Sequence, residues 1–328
     1  MTDLRSRASE RIRISFVIPA LNEENSIGRT ISSIERANRT IDGSWEIIVI
    51  DHNSRDQTAK VAQELGAHVI TRAGGTIASL RNYGAHRATG NVIVFLDADV
   101  WLMDEWGHHL AHEIPEILAP WGLITGSHPS PPGGNNTFHK YWFSSLARDR
   151  RHTHLGTGHM ILSKANFISL GGFDETLTTG EDYEFCQRAR NRGCTIRANS
   201  SLRTVHEGFP ETIGDFIQRE RWHGAGDIKR LRHAIHSKVV LGSLLFIALH
   251  ITAVYGLATL SPTILTGALL GILGLLSLSS LAKNRHEPLG TIAINSLIFY
   301  PYYLGRSASL LDKLVKVIRR GAPVGRTE

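Results

Sequence analysis

Short β-branched apolar runs alternate with stretches of helical periodicity over the first part of the chain. Ile14-Ser15-Phe16-Val17-Ile18 reads as a strand stopped by Pro19, and Asn22, Glu23 and Glu24 then open a helix with Ile27, Ile31 and Ile34 on one face. Glu46-Ile47-Ile48-Val49-Ile50 is a second strand, ending in Asp51. A helix through Ala59, Val61, Ala62 and Leu65, a third strand at residues 67–70 and a helix at 77–88 lead to a fourth apolar run, Val92-Ile93-Val94-Phe95-Leu96. This β-α-β-α-β-α-β order predicts a parallel sheet with helices on its faces, and in such folds ligands bind at the carboxyl ends of the strands. The loops after Ile18, Ile50 and Leu96 carry acidic or amide groups at those ends.

Beyond Asp99 the pattern is less regular. Residues 128–136 hold three prolines and two glycines and read as a loop. A strand is expected at 156–163, a turn at Gly171-Gly172-Phe173-Asp174, and a helix at 181–192 stopped by Gly193. Short strands at 195–198 and 202–206 precede a helix over 211–235.

The apolar residues then crowd together. Residues 239–260 carry no charge apart from a possible one on His250, and 262–282 carry none. Each segment is long enough to cross a hydrocarbon core of roughly 30 Å as a helix, which takes about 20 residues. Lys229, Arg230, Arg232 and Lys238 precede the pair, Lys283 and Arg285 follow it, and the turn at Ser261-Pro262 is uncharged. The positive-inside rule therefore predicts a hairpin with both ends in the cytosol. Met1 to Arg13 is polar and basic, unlike a signal peptide, which keeps the soluble part on the cytosolic face. A third stretch, 289–311, has the length of a span but contains Arg306, and Lys313, Lys316, Arg319 and Arg320 follow it. Spanning and interfacial placements both remain open there. The expected organisation is a tail at 1–12, a catalytic domain at 13–235, a membrane region of two or three helices at 236–311 and a basic tail at 312–328.

Charge and cysteine content narrow the picture. The net charge of +6 gathers beside the apolar segments, which favours a membrane surface as partner over nucleic acid. Cys186 and Cys194, without CxxC spacing, read as reduced thiols and not as a metal site.

The chemistry is concentrated at Asp97-Ala98-Asp99. Two carboxylates at the end of a buried strand repel each other and cost desolvation energy, and a cation bound to a substrate phosphate relieves both. An ordinary polar strand end is the plain alternative.

Six segments in order resemble the family 2 glycosyltransferases, whose fold is the GT-A nucleotide-sugar-binding fold. They are Ile18-Pro19-Ala20-Leu21-Asn22-Glu23-Glu24, Asp51-His52-Asn53-Ser54-Arg55-Asp56-Gln57-Thr58, Leu80-Arg81-Asn82-Tyr83-Gly84, Asp97-Ala98-Asp99, Gly180-Glu181-Asp182 and Gln218-Arg219-Glu220-Arg221-Trp222. The resemblance runs from about Ile14 to Trp222 and implies an α/β catalytic domain followed by membrane helices. It also implies Mg²⁺ or Mn²⁺ at Asp97 and Asp99, with His206 as a further ligand, and donor contacts from Pro19, Leu21, Glu23, Asp51, Arg81 and Asp97. Asp182 would be the general base beside Glu181, its plainer role being helix capping. Gln218, Arg221, Trp222 and His159 would meet the pyrophosphate or the acceptor. Gln218 and Arg221 share a helix face, where Arg and Trp also suit a membrane surface. One departure stands out: His52 occupies the place where the family usually carries a second acidic residue; the donor base that the resemblance implies by default is uridine.

The function implied is inverting transfer of a sugar from a nucleotide-diphosphate sugar to a lipid-linked or cell-envelope glycan acceptor at the cytosolic face of the membrane. A processive polysaccharide synthase is the nearest alternative. A nucleotidyltransferase of similar fold and an inactive membrane scaffold stand further off.

Overall fold

The structure is a computed structural model that describes residues 12–134, 136–143, 154–227 and 237–321. The basic cluster Lys229, Arg230 and Arg232 lies outside the described residues. The chain divides into two compact units, residues 1–133 with 143–209, and residues 134–142 with 210–328.

The first unit is built on a seven-stranded sheet in the order β3-β2-β1-β4-β7-β6-β8. β1 (Arg13–Ala20), β2 (Ser44–Asp51), β3 (His68–Thr71) and β4 (Val92–Leu96) run parallel, as the alternating pattern predicts. Ile14 to Ala20 are all buried, the signature of a central strand covered on both faces and not of one with a wet side. The other half is mixed: β7 (His159–Ser163) is antiparallel to both β4 and β6 (Leu123–Gly126), while β8 (Thr195–Ala198) is parallel to β6. A separate ribbon pairs β5 (Val100–Leu102) with β9 (Thr204–His206).

Helices cover both faces. α1 (Ile27–Asn38), α2 (Thr58–Glu64) and α4 (Trp106–Ile117) bury Ile27, Ile31, Ile34, Ala62 and Trp106 on one side. α3 (Ile77–Arg87), α5 (Lys164–Ser169) and α6 (Glu181–Asn191) bury Leu80, Ala85, Phe167 and Phe185 on the other. Gly84 explains the end of the Leu80–Gly84 segment: a Cβ there would run into Val17 and stand 3.2 Å from Ile50 Cγ1. The missing side chain lets α3 lie directly on β1 and β2. β5, α4, β6 and α5 are additions to the elements expected from sequence; β5 and β6 have only three and four residues, too few to show a period, and α4 carries Pro115.

The second unit is helical: α7 (Ile213–Asp227), α8 (Lys238–Ala258), α9 (Pro262–Asn284) and α10 (Leu289–Gly321), with a short π-helical turn beginning at Phe138. Among the described residues, α8 and α9 are long and apolar enough to cross a membrane. Trp142 packs against Phe216 of α7 and Phe299 and Tyr302 of α10. α10 does not stop near 311 but continues as helix to Gly321, because Leu314 and Val315 extend its apolar period. Its polar groups face inward: Asn295 donates to the Tyr141 carbonyl at 2.8 Å, and the Tyr303 hydroxyl shares a hydrogen bond with Ser279. Leu297, Tyr300, Leu304 and Leu311, spaced three, four and seven apart, form an exposed stripe.

Candidate functional site

Parallel strand ends bring the loops together. Ala20 and Asp51 are register partners, so the segments after β1 and β2 start side by side. They are then stapled: Asn22 N–H donates to Ser54 Oγ at 2.9 Å, Glu23 N–H to Thr58 Oγ1 at 2.7 Å, and Gln57 N–H to Glu24 Oε2 at 2.9 Å. Much of the Asp51–Thr58 segment therefore shapes the loop. Asp51 itself is buried and its carboxylate accepts Ser54 N–H at 3.2 Å.

A cavity of about 310 Å³ opens at these strand ends, lined by Pro19, Leu21, Glu23, His52, Asp97, Asp99 and His206 among others. His52 was legible in the sequence only as a departure from the family pattern, yet it reaches the cavity where Asp51 does not. Its Nδ1 lies 3.1 Å from the Arg72 carbonyl. In the neutral ring that contact makes Nδ1 the donor and leaves Nε2 an acceptor.

Asp97 and Asp99 take different partners. Asp97 Oδ1 accepts from Arg81 Nη2 at 2.6 Å, and the same guanidinium gives Nη1 to Glu181 Oε1 at 3.0 Å. Arg81 is 2% exposed, so the link between the two acidic motifs is a buried cation. Asp99 Oδ2 stands 2.9 Å from His206 Nε2, a meeting set up by the β5–β9 ribbon, which pairs Val100 with His206. A Cβ at Gly208 would collide with Asp99 and lie 2.8 Å from His206 Nε2, so glycine keeps that corner clear. Glu23 is pushed above the usual carboxylate range, first by burial, against its Ser26 hydrogen bond, and further by the charges of Asp99 and Asp97. Such a group of carboxylates favours a bound cation.

Among the described residues no three His, Cys, Asp or Glu side chains are arranged as a complete metal cage. Asp99 and His206 could offer an oxygen and a nitrogen ligand, and Mg²⁺ or Mn²⁺ sites commonly draw the rest of their shell from phosphate and water. The residues present fit such an ion.

Gly180, in the left-handed conformation at φ 79°, turns the chain into α6 and places Glu181 and Asp182 in its first turn. Glu181 is buried and also accepts from Thr157 Oγ1 at 3.3 Å. Asp182 is half-buried, its Oδ1 accepting the Tyr183 N–H at 2.7 Å. It does not line the cavity described above. Oδ2 faces Gly156, where even an added Cβ would remain 3.8 Å away.

His159, expected among the acceptor contacts, sits in the core instead. Its ring is fully buried, with Trp106 Nε1–H donating to Nε2 at 2.9 Å and Ser127 against Nδ1. Desolvation pushes its pKa down to about 3. Local sequence carries no sign of this, because the partners come from α4 and the residue after β6.

Gln218, Arg221 and Trp222 belong to the second unit, on α7. Arg221 makes a two-pronged pair with Asp312 of α10, Nε to Oδ2 at 2.6 Å and Nη2 to Oδ1 at 2.7 Å. That pair raises the pKa of Arg221. Trp222 is 54% exposed, resting edge-on against His223.

Comparison with known proteins bears on the family and the fold. The family model for glycosyl transferase family 2 matches residues 15–168, and that for glycosyl transferase family group 2 matches residues 135–281. The undecaprenyl-phosphate 4-deoxy-4-formamido-L-arabinose transferase of Salmonella choleraesuis (strain SC-B67) is 34% identical over 119 residues, 33% of this chain and 33% of that protein. The Salmonella paratyphi B (strain ATCC BAA-1250 / SPB7) protein of the same name matches to the same extent. The chain thus aligns with about a third of the length of these curated relatives. Among solved structures, the mannosyltransferase PcManGT from Pyrobaculum calidifontis, in complex with GDP-Man and Mn²⁺, superposes with a TM-score of 0.59 at 16% identity, covering 95% of this chain and 89% of that one. That likeness is one of fold: a mostly parallel sheet between helices, of the GT-A type. With two overlapping family models that run together from residue 15 to residue 281, this chain belongs to the family 2 glycosyltransferases.

Proposed function

We propose that the protein is a membrane-associated inverting glycosyltransferase that moves a sugar from a nucleoside-diphosphate donor to a polyprenyl-phosphate acceptor at the cytosolic face. The observation that carries this reading is the acidic cavity at the strand ends, where Asp99 meets His206 and Arg81 ties Asp97 to Glu181. The apolar helices α8 and α9 support a membrane setting, and the relatives named for undecaprenyl phosphate support a lipid acceptor.

In the reaction an acceptor oxygen forms a bond to the anomeric carbon on the face opposite the diphosphate. The carbon–oxygen bond to phosphate breaks and the nucleoside diphosphate leaves with the electron pair. Asp182 takes the proton that the acceptor loses where it attacks as a hydroxyl; an acceptor phosphate that is already ionised needs only orientation. A divalent cation held by Asp99 and His206, with Asp97 beside it, would neutralise charge on the departing diphosphate. Arg81 holds Asp97 and Glu181 in fixed rotamers, so the acidic groups need not reorganise. Pro19, Leu21 and His52 wall the cavity where the nucleoside would lie. Arg221 and Gln218 would contact the pyrophosphate and Trp222 the lipid or sugar of the acceptor.

The test is a panel of UDP- and GDP-sugars offered to the full chain in detergent with undecaprenyl phosphate and Mn²⁺ or Mg²⁺. One donor should yield a single-sugar lipid product, and Asp99→Asn should lower kcat by about 10² or more, the scale of losing transition-state charge stabilisation. Failure of every donor with both metals would overturn the assignment, and a polymeric product would move it to a processive synthase.

A further inference from the structure

The pairing of Arg221 is built with more care than a chance surface contact. α7 and α10 cross through matched stripes. On α7 the stripe is Ile217, Glu220, Arg221 and Gly224, at i, i+3, i+4 and i+7; on α10 it is Gly305, Ser309 and Asp312, at i, i+4 and i+7. Each helix places a glycine at the closest approach. A Cβ on Gly305 would come 2.6 Å from the Ile217 carbonyl and 3.1 Å from Arg221 N, and one on Gly224 would come 2.8 Å from Ser309 Cβ. A buried pair then fixes the register: Glu220 Oε2 accepts from Arg306 Nε at 3.0 Å and lies 2.8 Å from Nη2, with Glu220 6% and Arg306 14% exposed. Asp312 stands two helical turns beyond Gly305 on the same face, which brings its carboxylate beneath Arg221.

We propose that Asp312 is a positioning residue for Arg221, presenting the arginine to a diphosphate or phosphate group of the substrates. The proposal rests on the reading of Arg221 as a pyrophosphate contact. The geometry suits this division of labour. Asp312 occupies Nε and one Nη2 hydrogen, the fork edge that a carboxylate matches in two prongs. The Nη1 hydrogens and the second Nη2 hydrogen point along the other edges, so the side chain offers donors without surrendering its anchor. An unanchored arginine at this exposed position would sample many rotamers and lose that freedom each time an anion bound. The charge stays on the arginine, since the pair raises its pKa.

Inorganic pyrophosphate with Mg²⁺, titrated calorimetrically into the full chain in detergent, is a probe that needs no knowledge of the sugar. Arg221→Ala should weaken pyrophosphate by about tenfold or more and Asp312→Ala by about three- to tenfold, while Asp312→Glu restores part of the loss. The Arg221→Ala/Asp312→Ala double variant should bind no worse than Arg221→Ala alone, because a residue that acts through Arg221 has nothing left to act on. Three outcomes overturn the proposal. If Asp312→Ala binds like wild type, or more tightly, while Arg221→Ala is weakened, the pair has no positioning role and the functional reading stands. If the two losses add in the double variant, Asp312 acts through the helix crossing and not through Arg221. If Arg221→Ala leaves pyrophosphate affinity unchanged, the pyrophosphate reading of Arg221 falls, and the positioning role falls with it.

Discussion

Replacing Arg81 with methionine removes the cation that joins the two acidic motifs, and its cost can be worked from the structure. Arg81 is 2% exposed, and of its two partners Glu181 is 8% exposed at the side chain whereas Asp97 is 30% exposed. Asp97 recovers water when its partner goes; among the described residues Glu181 keeps the Thr157 hydroxyl at 3.3 Å. The loss is therefore that of a buried carboxylate left without its cation, about 3–5 kcal/mol for breaking such a pair. For a unit of this size, with about 2–4 °C per kcal/mol, Arg81→Met should melt about 6–20 °C below wild type. Thermal unfolding followed by tryptophan fluorescence reads the shift. The diagnostic comparison is Arg81→Met with Glu181→Gln added: removing the stranded charge should return more than half of the lost stability. A double variant no more stable than Arg81→Met would refute the buried-charge account and leave lost packing as the cause.

His159 carries a pH prediction. Its pKa, pushed to about 3 by burial, lies below that of an unfolded histidine, so the unfolded state binds the extra proton between the two values. Its contribution to stability is complete above about pH 6.5 and is lost as pH falls towards 3, with a slope of at most about 1.4 kcal/mol per pH unit. His159→Leu should flatten that limb of the pH–stability curve, and an unchanged slope would show that another group carries it. The exposed stripe of α10 carries a third prediction: tryptophan placed at Leu297 or Leu304 should be quenched by brominated lipid in proteoliposomes, and one placed at Asn295 should not. Equal quenching at all three positions would rule out a lipid-facing stripe.

The half-sheet β1 to β4 was readable element by element, because regular βα units repeat one pattern, an apolar run of strand length followed by a helix; the first helix starts at Ile27 and not at Asn22, and β3 is only partly buried. The loops holding Glu23, Asp97 and Asp99 followed, since a parallel sheet gathers the carboxyl ends of its strands on one edge. Beyond Asp99 that regularity ends. β7 inserts antiparallel and β5 is only three residues long, so local periodicity carried too little information there.

Residue types and their order alone determined the family, the acidic motifs and the two apolar helices, for these are properties of neighbours along the chain. Tertiary structure decided the partners. Arg81 proved to be a buried bridge between Asp97 and Glu181, a hundred residues from the latter in sequence. His159 proved to be a core ring between Trp106 and Ser127, His52 a wall of the cavity, and Arg221 an anchored side chain whose carboxylate comes from α10. In each case the deciding contact joins elements far apart in the chain, and a side chain's charge, tautomer and reach are set by what packs against it.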